Sequence, residues 1–319
     1  MTRILSIGAG WTGDRPWLWS WVGAVLLWLA IVAIAQGEGA GQVLSAALSF
    51  GVFFVVVAIG QMFVIAMGPG NIDLSIPSNI ALSGSVAMIV MAGQDGMILP
   101  GLAAALAAGL VVGIANWALI RGFGMPPIIA TLSSSLVFQS VAIAYGRGLR
   151  VSPPDGFAGF TTDKILGVPL MAIAGFVLAA VMAVVLQRTV YGRSVLAVGQ
   201  NPRAAHLAGV KVERTRFLTY AGSGAFAGLA GALMAGYFGG ASLDMGKDYL
   251  LNSIAVVVIG GTSVAGGRAN LPGLWGAALF LFLLVTMLNT LGVGTGLRLV
   301  LTGLIIIAVI VAAGGEKTR

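Results

Sequence analysis

One carboxylate and a handful of amides interrupt otherwise apolar sequence. Asp73 lies in Asn71-Ile-Asp73-Leu-Ser75, between two long apolar runs. Gln61, Asn116, Gln139 and Asn289 stand inside apolar stretches, and Ser133-Ser-Ser135 adds hydroxyls. A charged side chain at hydrocarbon depth costs roughly 3 kcal/mol on insertion scales and usually faces a cavity or a partner. Asp73 therefore has two readings. It lines a polar route through a membrane, or it belongs to a cap at the Pro77 break, with Asp73 or Ser75 satisfying helix N–H groups. The amides likewise line a route for a neutral polar or zwitterionic solute, or they bond helices to one another at about 0.6 kcal/mol each. A route for ions calls instead for rings of carboxylates or strings of basic residues.

Little else in the chain could do covalent chemistry. There is no Cys, and His206 is the only His. Thiolate sites, zinc and haem are excluded on ligand number. A membrane-embedded enzyme needs paired acids, a His dyad or a metal cluster within the spans, and none is visible. No phosphate-binding Gly-Lys-Ser/Thr loop is present, so the chain is not expected to hydrolyse ATP or to hold a cofactor.

A second polar region differs in kind. It runs from Gly199 through Asn201, Pro202, Arg203, Ala204 and Ala205 to Gly209. Asn201 is a good helix N-cap, with Pro202 at the first helical position. Residues 203–208 then form a short helix stopped by Gly209. Such a helix either docks into a partner's groove or lies on anionic lipid.

The elements that must position these residues are membrane spans. The chain is 58% hydrophobic and only 8% charged, against about 25% charged in a soluble domain. The apolar runs are continuous and helix-length, which argues against a transmembrane barrel. The reading is an all-α polytopic membrane protein with ten segments, near 17–35, 44–67, 79–93, 98–120, 127–145, 169–187, 217–238, 253–265, 271–291 and 297–313. All of 1–319 reads as one domain. The third and eighth segments are short and read as broken helices, tolerated at depth only inside protein or along a wet cavity. The first segment ends Ala33-Ile-Ala35-Gln36, like a cleavage site, yet is too long and too rich in Trp for a signal peptide. It is expected to be retained. The small residues from Gly224 to Gly236 predict close helix packing.

Charge sets an expected orientation. The loop 188–216 is strongly basic, which places it and both termini in the cytoplasm. The net charge of +7 then reflects such loops and not nucleic acid.

The two halves also resemble each other weakly. Asp73 precedes Asn116 by 43 residues, and Asp244 precedes Asn289 by 45. Interrupted apolar segments at matching places in two halves point to a transporter with its route at the repeat interface.

Several motifs, in one order, resemble the membrane permease subunits of ribose-type ABC sugar importers. They are Gly199-Gln-Asn-Pro-Arg-Ala-Ala205 with Ala208-Gly209-Val-Lys-Val212, Asn71-Ile-Asp-Leu-Ser75, Pro126-Pro-Ile-Ile-Ala-Thr-Leu132, and Ala255 to Ser263 followed by Gly266-Gly-Arg268. The similarity spans about residues 50–313. Thr262 and Ser263, in the last motif, join Gln61, Asn71, Asp73, Ser75, Asn116, Gln139 and Asn289 as candidate route residues. One departure is that Gly68-Pro-Gly-Asn71 stands where the family has Gly-Gly, and Ile76-Pro-Ser78 replaces Val-Gly-Ser.

The resemblance implies a bacterial inner-membrane permease working with a second permease chain, identical or sister. An extracytoplasmic sugar-binding protein delivers the solute. A dimeric ATPase carries ATP and Mg and engages residues 199–209. Two alternatives stay open. One is the same architecture carrying nucleosides or branched-chain amino acids. The other is an ion-coupled carrier acting alone, with Asp73 as its coupling carboxylate.

Overall fold

The computed structural model describes residues 17–148 and 151–313, with backbone alone for 309–313. The chain runs α1 (Leu18–Ile34), α2 (Ala40–Ala66), α3 (Ile76–Met91), α4 (Ile98–Gly122), α5 (Pro127–Gly146), α6 (Asp155–Thr162), α7 (Leu170–Arg188), α8 (Val190–Gln200), α9 (Pro202–Leu207), α10 (Val212–Tyr237), α11 (Tyr249–Ile259), α12 (Pro272–Thr290) and α13 (Thr295–Ala313). A two-stranded hairpin, β1 (Lys164–Ile165) with β2 (Val168–Pro169), precedes α7.

Each of the ten expected apolar segments contains one helix. Among the described residues, six helices are long and apolar enough to cross a membrane: α2, α4, α5, α7, α10 and α12. At 1.5 Å per residue, α3 is about 24 Å long and α11 about 16 Å, both short of a ~30 Å hydrocarbon core.

Three details depart from the sequence reading. The eighth segment is helical over Tyr249–Ile259 and not to residue 265. Gly261, Gly266 and Gly267 follow, all at positive φ, and turn the chain where a helix cannot continue. The connection from α5 to α7 holds α6 and the hairpin over residues 155–169. The basic segment 188–216 gains a helix before the short one, α8. Its start is fixed by Thr189, whose hydroxyl accepts from the Gly192 N–H at 3.1 Å. Its inner face is Gly192, Val195, Val198 and Gly199, a spacing that buries one stripe of a helix.

The element order repeats. A long helix, an irregular connector, a short helix and two further helices occur as α2–α5 and again as α10–α13. Each long helix packs against the short helix of the other half and the helix after it: α10 on α3 and α4, α2 on α11 and α12. The two long helices also pack on each other, and they run antiparallel. Phe63, near the end of α2, and Thr219, near the start of α10, both contact Tyr191. At the opposite end, Phe53 of α2 meets Tyr237 at the end of α10.

Glycine makes the central crossing possible. A Cβ on Gly224 would lie 2.1 Å from the Gly109 carbonyl oxygen, and one on Gly113 would lie 2.2 Å from that of Tyr220. Backbones of α4 and α10 therefore touch directly. Small residues at helix contacts in membranes serve this purpose.

Candidate functional site

The connector between α2 and α3 turns back into the bundle. Gly68 (φ +119) and Gly70 (φ +80) adopt the left-handed region that other residues avoid. The chain then returns about a turn and a half, until the Asp73 N–H donates to Gln61 Oε1 at 3.2 Å. Helix α3 consequently begins inside protein, where its first N–H groups cannot reach water.

Side chains from several helices gather at that start. Asp73 Oδ1 accepts from the Ser75 N–H (3.0 Å) and the Ser75 hydroxyl (2.6 Å). It also accepts from Asn116 Nδ2 of α4 at 3.4 Å. Asp73 Oδ2 accepts from the Ser223 hydroxyl of α10 at 2.7 Å. Asn116 Nδ2 donates to Ser75 Oγ at 2.7 Å, and Ser134 of α5 donates to Asn116 Oδ1. Thr131 of α5 accepts from the Leu74 N–H at 3.1 Å. Asp73, Ser75, Gln61, Asn116, Thr131, Ser134 and Ser223 are all buried. The carboxyl group is thus held by neutral donors, two of them on its own connector and two on other helices. Such multiply satisfied groups are what makes a buried polar residue tolerable.

Two neighbours widen this bridge. Asn71, the residue standing where the resembled family has glycine, accepts from the Tyr220 hydroxyl at 3.1 Å. Asn79 of α3 donates to the Gly224 carbonyl at 3.0 Å and accepts from Ser83 at 2.8 Å. Asn71, Asp73 and Asn79 therefore meet Tyr220, Ser223 and Gly224 in order along one turn of α10.

The other candidates fall elsewhere. Gln139 is half-buried on α5 and donates to the Leu243 carbonyl at 3.3 Å. Thr262 lies buried in the turn after α11, where its hydroxyl accepts from the Asn270 N–H at 3.2 Å. Ser263 is beside it, with its N–H on the Arg268 carbonyl at 3.1 Å. Asn289 is exposed at the end of α12 and accepts from Arg298. Asn79, Tyr220 and Ser223 escaped sequence reasoning. An amide in the short third segment was a signal for Asn79. The other two are recognisable only from their neighbours in space.

The second candidate site is the α8–α9 pair. Asn201 caps α9, its Oδ1 accepting from the Arg203 and Ala204 N–H groups at 3.0 Å each. Gly209 ends the turn at φ +86. Asn201, Pro202, Arg203, Ala204 and Leu207 are exposed, whereas Ala205 faces inward. Leu207 is 87% exposed, an apolar tip open to docking. A surface groove of about 700 Å³ runs between α9 and the start of α10, lined by Arg203, His206, Lys211, Arg214 and Arg216 with Glu213. Gly199 is wedged: a Cβ there would lie 1.9 Å from the Ala66 carbonyl oxygen and 2.4 Å from the Gly267 nitrogen. The end of α2, the end of α8 and the 260–271 turn are therefore one joint.

Among the described residues, six helices long enough to cross a membrane, with shorter apolar ones between them, make this an all-α polytopic membrane protein. The chain belongs to the branched-chain amino acid transport system / permease component family, which matches residues 43–310. It is 35% identical over 257 residues to the ribose import permease protein RbsC of Bacillus subtilis, covering 79% of this chain and 78% of that one. It is 32% identical over 267 residues to a probable ABC transporter permease protein of Sinorhizobium fredii, covering 83% and 79%. It is 30% identical over 250 residues to the autoinducer 2 import system permease protein LsrD of Salmonella paratyphi B, covering 76% and 75%. No solved structure matches the chain. The protein is a multi-pass membrane permease.

Proposed function

We propose that this chain forms half of the translocation route of an ATP-driven importer for a monosaccharide or similar neutral polar solute. The observation that carries the reading is the α8–α9 pair. A capped helix with an exposed Leu207 tip is wedged by Gly199 against the end of α2, so force applied at the surface reaches the bundle. A cytoplasmic ATPase dimer, which holds the ATP and Mg, is the partner that α9 fits. Both termini then lie in the cytoplasm with it.

The solute class rests on the relatives, named for ribose and autoinducer 2 import, and on the composition of the interior. Asp73 is the one charged residue buried among the described residues, and it is already bonded to neutral donors. A zwitterion calls for basic groups as well as helix termini along its route, and no basic residue is buried among the described residues, which favours a neutral solute over a branched-chain amino acid. The same bonding weighs against Asp73 as the coupling carboxylate of an ion-driven carrier. A second permease chain, identical or sister, is proposed to cover the outer face of α5, where Leu136 and Val137 are exposed beside the hydroxyls of Ser133 and Ser140. An extracytoplasmic binding protein delivers the solute at the opposite end from α9.

The test is affinity purification of the tagged chain from native membranes, with partners identified by mass spectrometry. An ATPase subunit is expected, and Ala204→Glu should release it while the permease stays folded. Recovery of the chain without an ATPase, with uptake surviving in ATP-free vesicles under an ion gradient, would overturn the reading.

A further inference from the structure

Helix α8 touches two parts of the bundle that also touch each other. At its end, Gly199 sits against the connector: Gly68 lies beside it, with 3.6 Å from an ideal Gly68 Cβ to the Gly199 carbonyl oxygen. At its start, the Tyr191 hydroxyl shares a hydrogen bond with Thr219 Oγ1 of α10 at 3.0 Å. The Tyr191 ring also stacks on Phe63 of α2, with centroids 5.6 Å apart. Thr219 is one turn before Ser223. The connector and α10 are in turn held together by Asn71–Tyr220, Asp73–Ser223 and Asn79–Gly224. The three elements close a triangle.

The sides of this triangle differ in stiffness. Gly199 is backbone against backbone, with no room for a methyl group, so that corner moves as a unit. The Tyr191–Thr219 corner is a single hydroxyl pair. Beside it lies a cavity of about 210 Å³, lined by Gly60, Phe63, Met182, Tyr191, Thr219 and Ser223. Both Thr219 and Ser223, the α10 partners of Tyr191 and Asp73, therefore border open space. A hydroxyl next to a cavity can change partners at the cost of one hydrogen bond, whereas close-packed backbone resists displacement.

We propose that Tyr191 is a positioning residue for coupling: its bond to Thr219 sets the angle of α8 against α10, and through Gly199 that angle sets the strain on the Asp73–Ser223 bond between the two halves. A push on α9 turns α8 about the Gly199 corner. The Tyr191–Thr219 bond opens into the cavity, and the connector shifts relative to α10. Two discrete hydrogen-bond arrangements on one rigid lever are the kind of bistable element that transmits a coupling free energy. This assignment rests on the ATP-driven reading above.

The experiment uses the permease reconstituted with its ATPase in proteoliposomes, reading ATP hydrolysed per solute imported. Tyr191→Phe keeps the ring and its stack on Phe63 and removes only the hydroxyl. The ratio is expected to rise roughly fivefold, the scale of one hydrogen bond. Thr219→Val, which also removes the Thr219 hydroxyl's bond to the Thr215 carbonyl at 2.8 Å, should raise it at least as much, and the double variant should do no worse than Thr219→Val alone, because both remove the Tyr191–Thr219 bond. An unchanged ratio in Tyr191→Phe overturns the proposal. Import and hydrolysis falling together with a lower melting temperature overturn it too, since that marks a merely structural tyrosine. Absence of ATP-dependent import in the wild-type complex would instead sink the importer reading itself.

Discussion

The same short signature occurs in both halves of this chain and is put to different use. In the first half Asp73 and Asn116 meet in the core, both buried, with 3.4 Å between amide and carboxyl. In the second half Asp244 pairs with Lys247 at 2.8 Å on the surface, and Asn289 accepts from Arg298. The cause lies in where the short helices begin. Helix α3 starts inside the bundle, so its entrance must be satisfied by side chains from α2, α4, α5 and α10. Helix α11 follows a largely exposed turn whose own carbonyls, those of Gly246 and Lys247, accept from the Tyr249 and Leu250 N–H groups at 3.0 and 3.5 Å. A repeated backbone plan therefore does not carry a repeated chemistry, and the route of a two-fold transporter need not be lined symmetrically.

This contrast can be broken in graded steps. The largest effect is expected from Asp73→Ala, which strands Ser75, Asn116 and Ser223 without their acceptor. At 1–3 kcal/mol for each buried unsatisfied group, the loss is at least about 3 kcal/mol. Asp244→Ala should change nothing measurable, as surface ion pairs rarely do. Thermal unfolding of the purified chain in detergent compares the two, and equal losses would erase the distinction between halves. Next comes Gly224→Ala, which pushes a methyl group into the Gly109 carbonyl and should cost about 1–3 kcal/mol. Gly222→Ala, two residues away with open space around it, should cost almost nothing. Asn116→Ala should destabilise by about 2 kcal/mol through the loss of bonds to Asp73, Ser75 and Ser134. Asn289→Ala should be near neutral. The smallest step sharpens the bridge itself: Ser223→Ala should cost about 1 kcal/mol, and combining it with Asp73→Asn should give less than the sum of the two. Full additivity would mean that the first half does not hold α10 through this bond.

Much of the architecture was legible because hydropathy is a local property. Each of the ten apolar segments contains a helix, and the two short ones were marked in the sequence by Asp73, Pro77 and Asp244. The Asn201 cap, the Pro202 start and the Gly209 stop were readable for the same reason, since each acts within three residues. Helix α8 was not, because its buried stripe contains two glycines and only two valines, so its apolar period is faint. The bridge was read in part. Asp73, Ser75 and Asn116 are conspicuous as polar residues in apolar runs. Ser223 and Tyr220 are ordinary residues in a glycine-rich helix until α10 is laid across α3. Asn289, at the repeat position that matches Asn116, lies exposed at the end of α12, because position in a repeat predicts backbone and not burial. Thr262 and Ser263 fell in a turn because the glycines after Ile259 end the helix early.

The inward start of α3 also has a consequence in time. Asp73 and Ser223 are 150 residues apart, which at 5–20 residues per second separates their synthesis by roughly 8–30 s. During that interval the connector has neither Ser223 nor Tyr220 to bond. The 16-residue helix that follows then has α4 and α5 to pack against but not α10. The bonds to Gln61, Asn116 and Thr131 come from chain made earlier or soon after, so the bridge is completed in two stages, the one to α10 last.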